Sequence, residues 1–119
     1  MNLRTETFVI KSDPELTIIV KEVSLGEGLA RLEKFDELRQ MHKDMTSSER
    51  EILVRAYVNI LTATQTVEGM DWPLEYDDFL GLPQWIVDIW LNEVITLNPT
   101  WGYADAEVEK KIQRKHTKE

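Results

Sequence analysis

Two short runs of β-branched and aromatic residues near the start of the chain predict a β-hairpin. Thr7 to Lys11 (TFVIK) and Leu16 to Lys21 (LTIIVK) have the composition preferred in strands. The residues between them, Ser12 to Glu15, include Pro14, which presets one backbone angle and suits a turn. We therefore predict a hairpin over residues 7–21. An isolated hairpin is marginally stable in water, so it must pack on helices or gain strands from another subunit.

The next apolar residues recur at three- and four-residue spacing, which predicts an amphipathic helix. Ser24 and Glu27 form a capping-box pattern at its start, and we place the helix over residues 25–42. Two glycines in the first turn each weaken it by about 1 kcal/mol, which favours a true start nearer Leu29. The residues expected on the buried side are Leu25, Leu29, Leu32, Phe35, Leu38 and Met41.

A second capping-box pattern, Thr46 with Glu49, precedes the clearest helical stripe in the chain. The stripe consists of Ile52, Leu53, Ala56, Tyr57, Ile60 and Leu61. The residues expected to point away from it are Arg50, Arg55 and Asn59. We predict a helix over residues 48–68, with Gly69 as its C-terminal cap.

The late part of the chain contains a break, a short helical turn and a wide apolar helix. Trp72-Pro73 marks the break, because a residue before proline avoids helical angles. Residues 74–80 suit a short turn, and the next helix spans residues 83–97, between Pro83 in its first turn and the stop at Asn98-Pro99. Its apolar residues cover roughly 200° of the circumference, whereas a surface helix needs a stripe of a little over ~100°. They are Ile86, Val87, Ile89, Trp90, Leu91, Val94 and Leu97.

These elements predict an α+β fold that is mainly helical, with an N-terminal β-hairpin packed on three main α-helices. We assign residues 1–103 to a single domain and residues 104–119 to a charged C-terminal tail. A chain of 119 residues is long enough for one modest core, but not for a core and a deep enzyme cleft. The excess apolar arc of the last helix must be covered by other elements or by a partner.

The tryptophans cluster in this late region, within thirty residues: Trp72, Trp85, Trp90 and Trp101. A single buried aromatic is more often core than contact, and that alternative holds for Trp85 and Trp90. Trp101 and Tyr103 lie beyond the proline stop, where exposed aromatic residues are typical interface anchors, and for these two a contact role and a core role are equally open. From the wide arc and this clustering we predict a protein-binding surface on the late helix and its flank. Its residues are Trp85, Ile86, Ile89, Trp90, Val94 and Trp101.

The charge is divided unevenly along the chain. Residues 1–109 contain nine Lys and Arg against twenty-one Asp and Glu, a net charge of −12, and residues 110–119 have a net charge of +4. An acidic body repels phosphate backbones, so we expect no nucleic-acid partner. No apolar run approaches the ~18 residues of a membrane span, and residues 1–6 lack the apolar core of a signal peptide. The absence of cysteine fits the cytoplasm.

Few residues suit catalysis or metal binding. The only histidines are His42 and His116, and neither has a cysteine or a second histidine at ligand spacing, so we expect no zinc site. Asp77 and Asp78 suggest a magnesium site or an acid–base pair, but adjacent residues on a helix face different directions. Carboxylates also suit a helix N-terminus. We expect no enzymatic activity, no cofactor and no bound metal.

The order of these segments resembles that of the tail assembly chaperones of long-tailed bacteriophages. In that family a short β-rich start, here TFVIKSDPELTIIVKEVSL, leads into a leucine-spaced helix, here LARLEKFDEL. A middle helix follows, and then an acidic-aromatic piece with an LP helix start that runs to LN, here DDFLGLPQWIVDIWLNEVITLNPTW. The resemblance covers residues 7–101. Lys110-Lys111 is compatible with the frameshift site that often produces a longer form in this family.

The resemblance implies a non-enzymatic chaperone that binds and solubilises the tape-measure protein and recruits tail-tube subunits. Such a protein acts in the host cytoplasm and is absent from the mature virion. Self-association through the hairpin or the last helix is a further expectation, because a two-stranded hairpin leaves edges to cover. Two alternatives stay open: a small structural tail or neck adaptor, and a regulator that binds a host protein.

Overall fold

A computed structural model of the chain describes residues 2–42 and 48–102, without the side chains of Glu49 and Arg50. The predicted α+β class is confirmed. Thr46 of the second capping box, Tyr103 and the predicted tail 104–119 lie outside the described residues. The elements in chain order are β1 (Thr5–Ile10), β2 (Leu16–Lys21), α1 (Leu25–Met41), α2 (Ser48–Ala63), β3 (Thr64–Glu68), α3 (Tyr76–Leu80) and α4 (Gln84–Leu97).

The predicted hairpin belongs to a three-stranded antiparallel sheet with the strand order β1-β2-β3. β1 pairs with β2 along its whole length, and the other edge of β2 pairs with β3. Alternate residues of the central strand, Leu16, Ile18 and Val20, are buried. Both strands of the hairpin, β1 and β2, contact α4. The hairpin is therefore stabilised from within the chain, by a third strand and by a helix.

The helix predicted over residues 48–68 ends five residues earlier, at Ala63, and residues 64–68 form β3 instead. Thr64, Thr66 and Val67 are β-branched, which stiffens their side chains and favours extended backbone. The open edge of β2 supplies hydrogen-bond partners that a continued helix would leave unused. The prediction of a C-terminal cap at Gly69 is also wrong, because Gly69 follows a strand and has a φ of 108°.

The predicted capping box of α1 is present, since Ser24 and Glu27 bond to each other's backbone. The helix begins at Leu25, and the two glycines do not delay its start to Leu29. Its buried face agrees with the predicted one at Phe35 and Leu38, and Arg31 is the third buried residue among the described side chains of α1. At 100° per residue, these three lie roughly 120° around the helix from Leu25, Leu29 and Leu32. The predicted core residues that are exposed are Leu25, Leu29, Leu32 and Met41.

α2 occupies the centre of the fold, because it packs against both α1 and α4. Ala56, Tyr57 and Ile60 of its predicted stripe are buried. Leu53 is exposed instead, and Asn59, predicted to point outward, is completely buried. A helix that has neighbours on two sides needs more than one apolar stripe, which explains why residues outside the stripe are buried.

α4 begins after Pro83 and ends at Asn98, close to the predicted bounds. Trp90 is completely buried, and its indole N–H donates to the Thr64 hydroxyl across 2.9 Å. The bond joins α4 to the start of β3. The short helix α3 also forms in the segment predicted for a helical turn. Across residues 2–42 and 48–102, no helix combines the length and apolar character that crossing a membrane requires.

The backbone at Gly69 yields a prediction for stability. A side chain at this position would have to adopt a positive φ, and its Cβ would overlap the Glu15 carbonyl oxygen. We expect Gly69→Ala to lower the free energy of unfolding by at least about 2 kcal/mol in urea titrations. Gly28→Ala is the matched control, because its Cβ would meet open space in a helix, and it should raise stability by roughly 0.5–1 kcal/mol. Equal effects of the two substitutions would contradict this account.

Candidate protein-binding groove

An apolar groove lies between the start of α1 and the residues that follow α4. It has a volume of about 710 Å³, within the range of ~300–1,000 Å³ that is usual for ligand pockets. Val23 and Ser24, which precede α1, also line it. The remaining side chains that shape it are Leu25, Leu29 and Leu32 of α1 and Asn98, Thr100 and Trp101 after α4.

The three leucines of this groove are exposed to an unusual degree for their type. Leu25 is 94% exposed, Leu29 60% and Leu32 53%. Isolated exposed leucines are common on protein surfaces, but these three follow one another at four- and three-residue spacing and so form a continuous stripe. A continuous apolar patch beside a groove is typical of a surface that binds another protein.

Two glycines keep the groove open on the α1 side. Gly26 and Gly28 line it, and a Cβ built at either position has no neighbouring atom within 4 Å. A methyl group at either position would therefore meet no other atom of the described protein. The sequence suggests that these glycines weaken a helix, whereas in the structure they leave room beside the leucine stripe.

Trp101 is held in the groove by a buried arginine. The Arg31 guanidinium lies 4.3 Å from the centroid of the Trp101 ring and 4.8 Å from that of Phe35. Its Nε donates to the Asn59 side-chain oxygen across 2.6 Å. Cation–π contacts of this kind contribute about 0.5–2 kcal/mol, with the larger values for desolvated pairs. Asn59 of α2 thus orients Arg31, and Arg31 positions Trp101.

Asn98 connects the end of α4 to the segment between β2 and α1. Its side-chain nitrogen donates to the Lys21 carbonyl oxygen across 3.0 Å, and its side-chain oxygen accepts from the Val23 backbone N–H, also across 3.0 Å. These bonds hold together the two parts of the chain that border the groove. The sequence suggests only a helix stop at this position, since nothing local shows which distant residues the amide would contact.

The first turn of α1 is held by an ion pair. The Lys21 ammonium bonds to the Glu27 carboxylate, which also accepts from Ser24 of the capping box. The hydrogen bond from Lys21 is the main reason that the pKa of Glu27 lies below its ordinary value, an effect that partial burial opposes. The ion pair joins the end of β2 to the first turn of α1, and together with the cap it orients the start of this helix relative to the sheet.

The six residues predicted as a partner surface do not form one surface. Ile86, Trp90 and Val94 are buried in the core, so they are unavailable to a partner and are reassigned to packing. Trp85 and Ile89 are 48% and 41% exposed on α4, but neither lines the groove. Trp101 alone of the six lies in the groove. The wide apolar arc of α4 is largely covered by the sheet and α2, which pack on it.

The groove residues missed by sequence reasoning are Leu25, Leu29 and Leu32 of α1. Sequence reasoning also missed Arg31 and Asn59, which are buried and position Trp101. The leucines have the spacing of a core stripe, and no local signal distinguishes an exposed stripe from a buried one. Arg31 gives a weak signal, because it shares a helix face with Phe35 and Leu38. Among the residues that the structure describes, no three acidic or histidine side chains form a group that could hold a metal ion.

Comparison with known proteins identifies no relative. No protein-family model matches the chain, no curated protein is similar to it at a significant level, and no solved structure shares its fold at that level. The groove and its residues are therefore the basis for inferring a function.

Trp90 and Trp101 lie in different environments, so we predict that their replacement by alanine changes the free energy of unfolding by different amounts. Trp90→Ala removes a completely buried ring and should lower the free energy of unfolding by about 3–5 kcal/mol. Trp101→Ala removes a half-buried ring and its contact with Arg31, so we expect a loss of about 1–2 kcal/mol and a folded protein. Urea unfolding followed by circular dichroism measures both. A larger loss for Trp101→Ala than for Trp90→Ala would place Trp101 in the core.

The lowered pKa of Glu27 predicts a pH dependence of stability. Ionised Glu27 stabilises the folded chain above its ordinary pKa of 4.5, and this contribution is lost as the pH falls through the lower pKa of the folded state. Glu27→Gln should therefore show a weaker loss of stability on acidification than the unchanged chain. Urea midpoints measured from about pH 3 to pH 6 test this. Lys21→Met, which removes the main cause of the shift, should have the same effect, and an unaltered pH profile in both variants would refute it.

Proposed function

We propose that the chain is a tail assembly chaperone of long-tailed phages, which covers apolar helical segments of the tape-measure protein in the host cytoplasm. The observation that supports this proposal is the exposed leucine stripe of α1 beside Trp101. Both lie on one groove, and both are apolar side chains that a partner helix would remove from water. The order of segments that resembles this family supports the same function.

The groove suits binding that must later be reversed. Burying one leucine fully gains about 1.5–3 kcal/mol, whereas association and the ordering of both partners cost about 4–15 kcal/mol. Three leucines and one tryptophan therefore leave a modest net affinity. A chaperone of this kind holds the tape-measure protein in solution and releases it when tail-tube subunits arrive and cover the same segments.

The charge of the chain supports a solubilising role. Residues 1–109 have a net charge of −12. A complex between this acidic body and an apolar, helix-forming protein keeps a net charge, which opposes aggregation. The recruitment of tail-tube subunits requires a second surface. The exposed Trp85 and Ile89 of α4 are the candidates for it, because they lie outside the groove.

Co-expression with the tape-measure protein of a long-tailed phage tests the proposed function. We expect the unchanged chain to keep that protein in the supernatant after centrifugation. Leu29→Ser combined with Leu32→Ser should send most of it to the pellet, because both substitutions remove apolar surface from the groove. Leu80→Ser is the matched control, since Leu80 is similarly exposed on α3 and does not line the groove.

The proposal would be refuted if the tape-measure protein were equally soluble in three conditions: with the unchanged chain, without it, and with the double variant. Mass spectrometry of purified phage particles separates the proposal from a structural adaptor. A chaperone should be absent from the particles, whereas an adaptor would be present in a fixed ratio to other tail proteins.

A further inference from the structure

The leucine stripe of α1 ends in acidic residues. At 100° per residue, Asp36 lies in line with Leu25, Leu29 and Leu32 one turn further along, and Glu33 flanks the stripe. Both carboxylates are on exposed residues. Asp36 pairs with Arg39 of the same helix, across 3.3 Å. Glu33 forms no ion pair with any side chain that the structure describes. Glu33 and Asp36 do not line the groove, but they form the acidic end of the leucine stripe that does.

We propose that the groove binds an amphipathic helix that carries a basic side chain beside its apolar stripe. Apolar residues at three- and four-residue spacing would cover the three leucines and Trp101, which is the usual way in which a helix binds a groove. A lysine or arginine one turn further along would face Glu33 and Asp36. This inference rests on the proposed function, since it specifies which segments of a client protein the groove selects.

Charge argues against a second copy of this chain as the occupant. A symmetric pair of chains uses the same patch on both subunits. Parallel pairing of two α1 helices through their leucine stripes would bring the carboxylates of Glu33 and Asp36 from both copies together, where like charges repel each other. Antiparallel pairing would place these carboxylates against the leucines of the other copy, which removes them from water without a partner charge. A basic helix binds more tightly, because its positive side chains are attracted to the same carboxylates. The separate partner is therefore the occupant that the acidic end favours.

Two designed peptides of about 20 residues, long enough to form a helix, test this inference. Both repeat leucine at helical spacing, and they differ only in having lysine or glutamate at the flanking positions. The indole N–H signal of Trp101 in heteronuclear NMR spectra of the full chain reports binding. We expect the lysine peptide to bind roughly three- to tenfold more tightly, the range for a few exposed ion pairs. The difference should shrink in about 1 M salt.

Variants of the full chain assign the binding to this groove. Glu33→Lys should abolish or reverse the preference between the peptides, because it changes the sign of a charge that has no structural partner among the described side chains. Gly28→Phe should weaken binding of both peptides at least tenfold, since Gly28 lines the groove and a Cβ there has no neighbouring atom within 4 Å, so the ring would occupy space that a peptide needs. Leu80→Ser should leave both affinities unchanged.

Several outcomes would overturn the inference. Equal affinity for the two peptides would show that the acidic end does not select the partner. The proposed function would stand in that case if the chain still kept the tape-measure protein soluble. A dimer in sedimentation that Leu29→Ser disperses, with neither peptide bound, would make a second copy the occupant. Lys110→Glu combined with Lys111→Glu alters the basic segment of the chain, residues 110–119. Much tighter binding of the lysine peptide to this variant would show that the basic segment competes for the groove and is its occupant.

Discussion

The burial of Arg31 determines how α1 lies on the rest of the protein. Its guanidinium contacts the rings of Phe35 and Trp101, and its Nε bonds to Asn59 of α2. A buried charge destabilises a fold unless hydrogen bonds and close contacts compensate it. Arg31 makes these contacts in only one orientation of α1 about its own axis. In that orientation of α1 the leucine stripe faces solvent, and Trp101 lies beside it. The groove is a consequence of the side chain that α1 buries.

The rest of the fold supplies a rigid frame for this groove. The central strand β2 is hydrogen-bonded on both edges, and the completely buried Trp90 joins α4 to the start of β3. Asn98 then attaches the end of α4 to the segment that leads into α1. Both borders of the groove are thereby connected to the sheet.

The balance between apolar and acidic residues gives the groove its chemical character. Exposed leucines attract any apolar helix, with little discrimination among sequences. The carboxylates at the end of the stripe add a preference for basic partners and discourage self-pairing. Because exposed ion pairs contribute little free energy, this preference changes selectivity without making the complex permanent. A transient chaperone requires that combination.

The sequence by itself determined the local elements: the hairpin, the capped start of α1, the stripe of α2 and the bounds of α4. Strand composition, capping boxes and proline stops are local signals, because they act between residues a few positions apart. It also indicated Trp101 as a residue outside the core. Only the tertiary structure decided that residues 64–68 form a strand, since this depends on the free edge of β2. It likewise decided that α1 buries Arg31 and exposes Leu25, Leu29 and Leu32. The same spacing suits either face, and the choice depends on Asn59 and Trp101, which are distant in sequence.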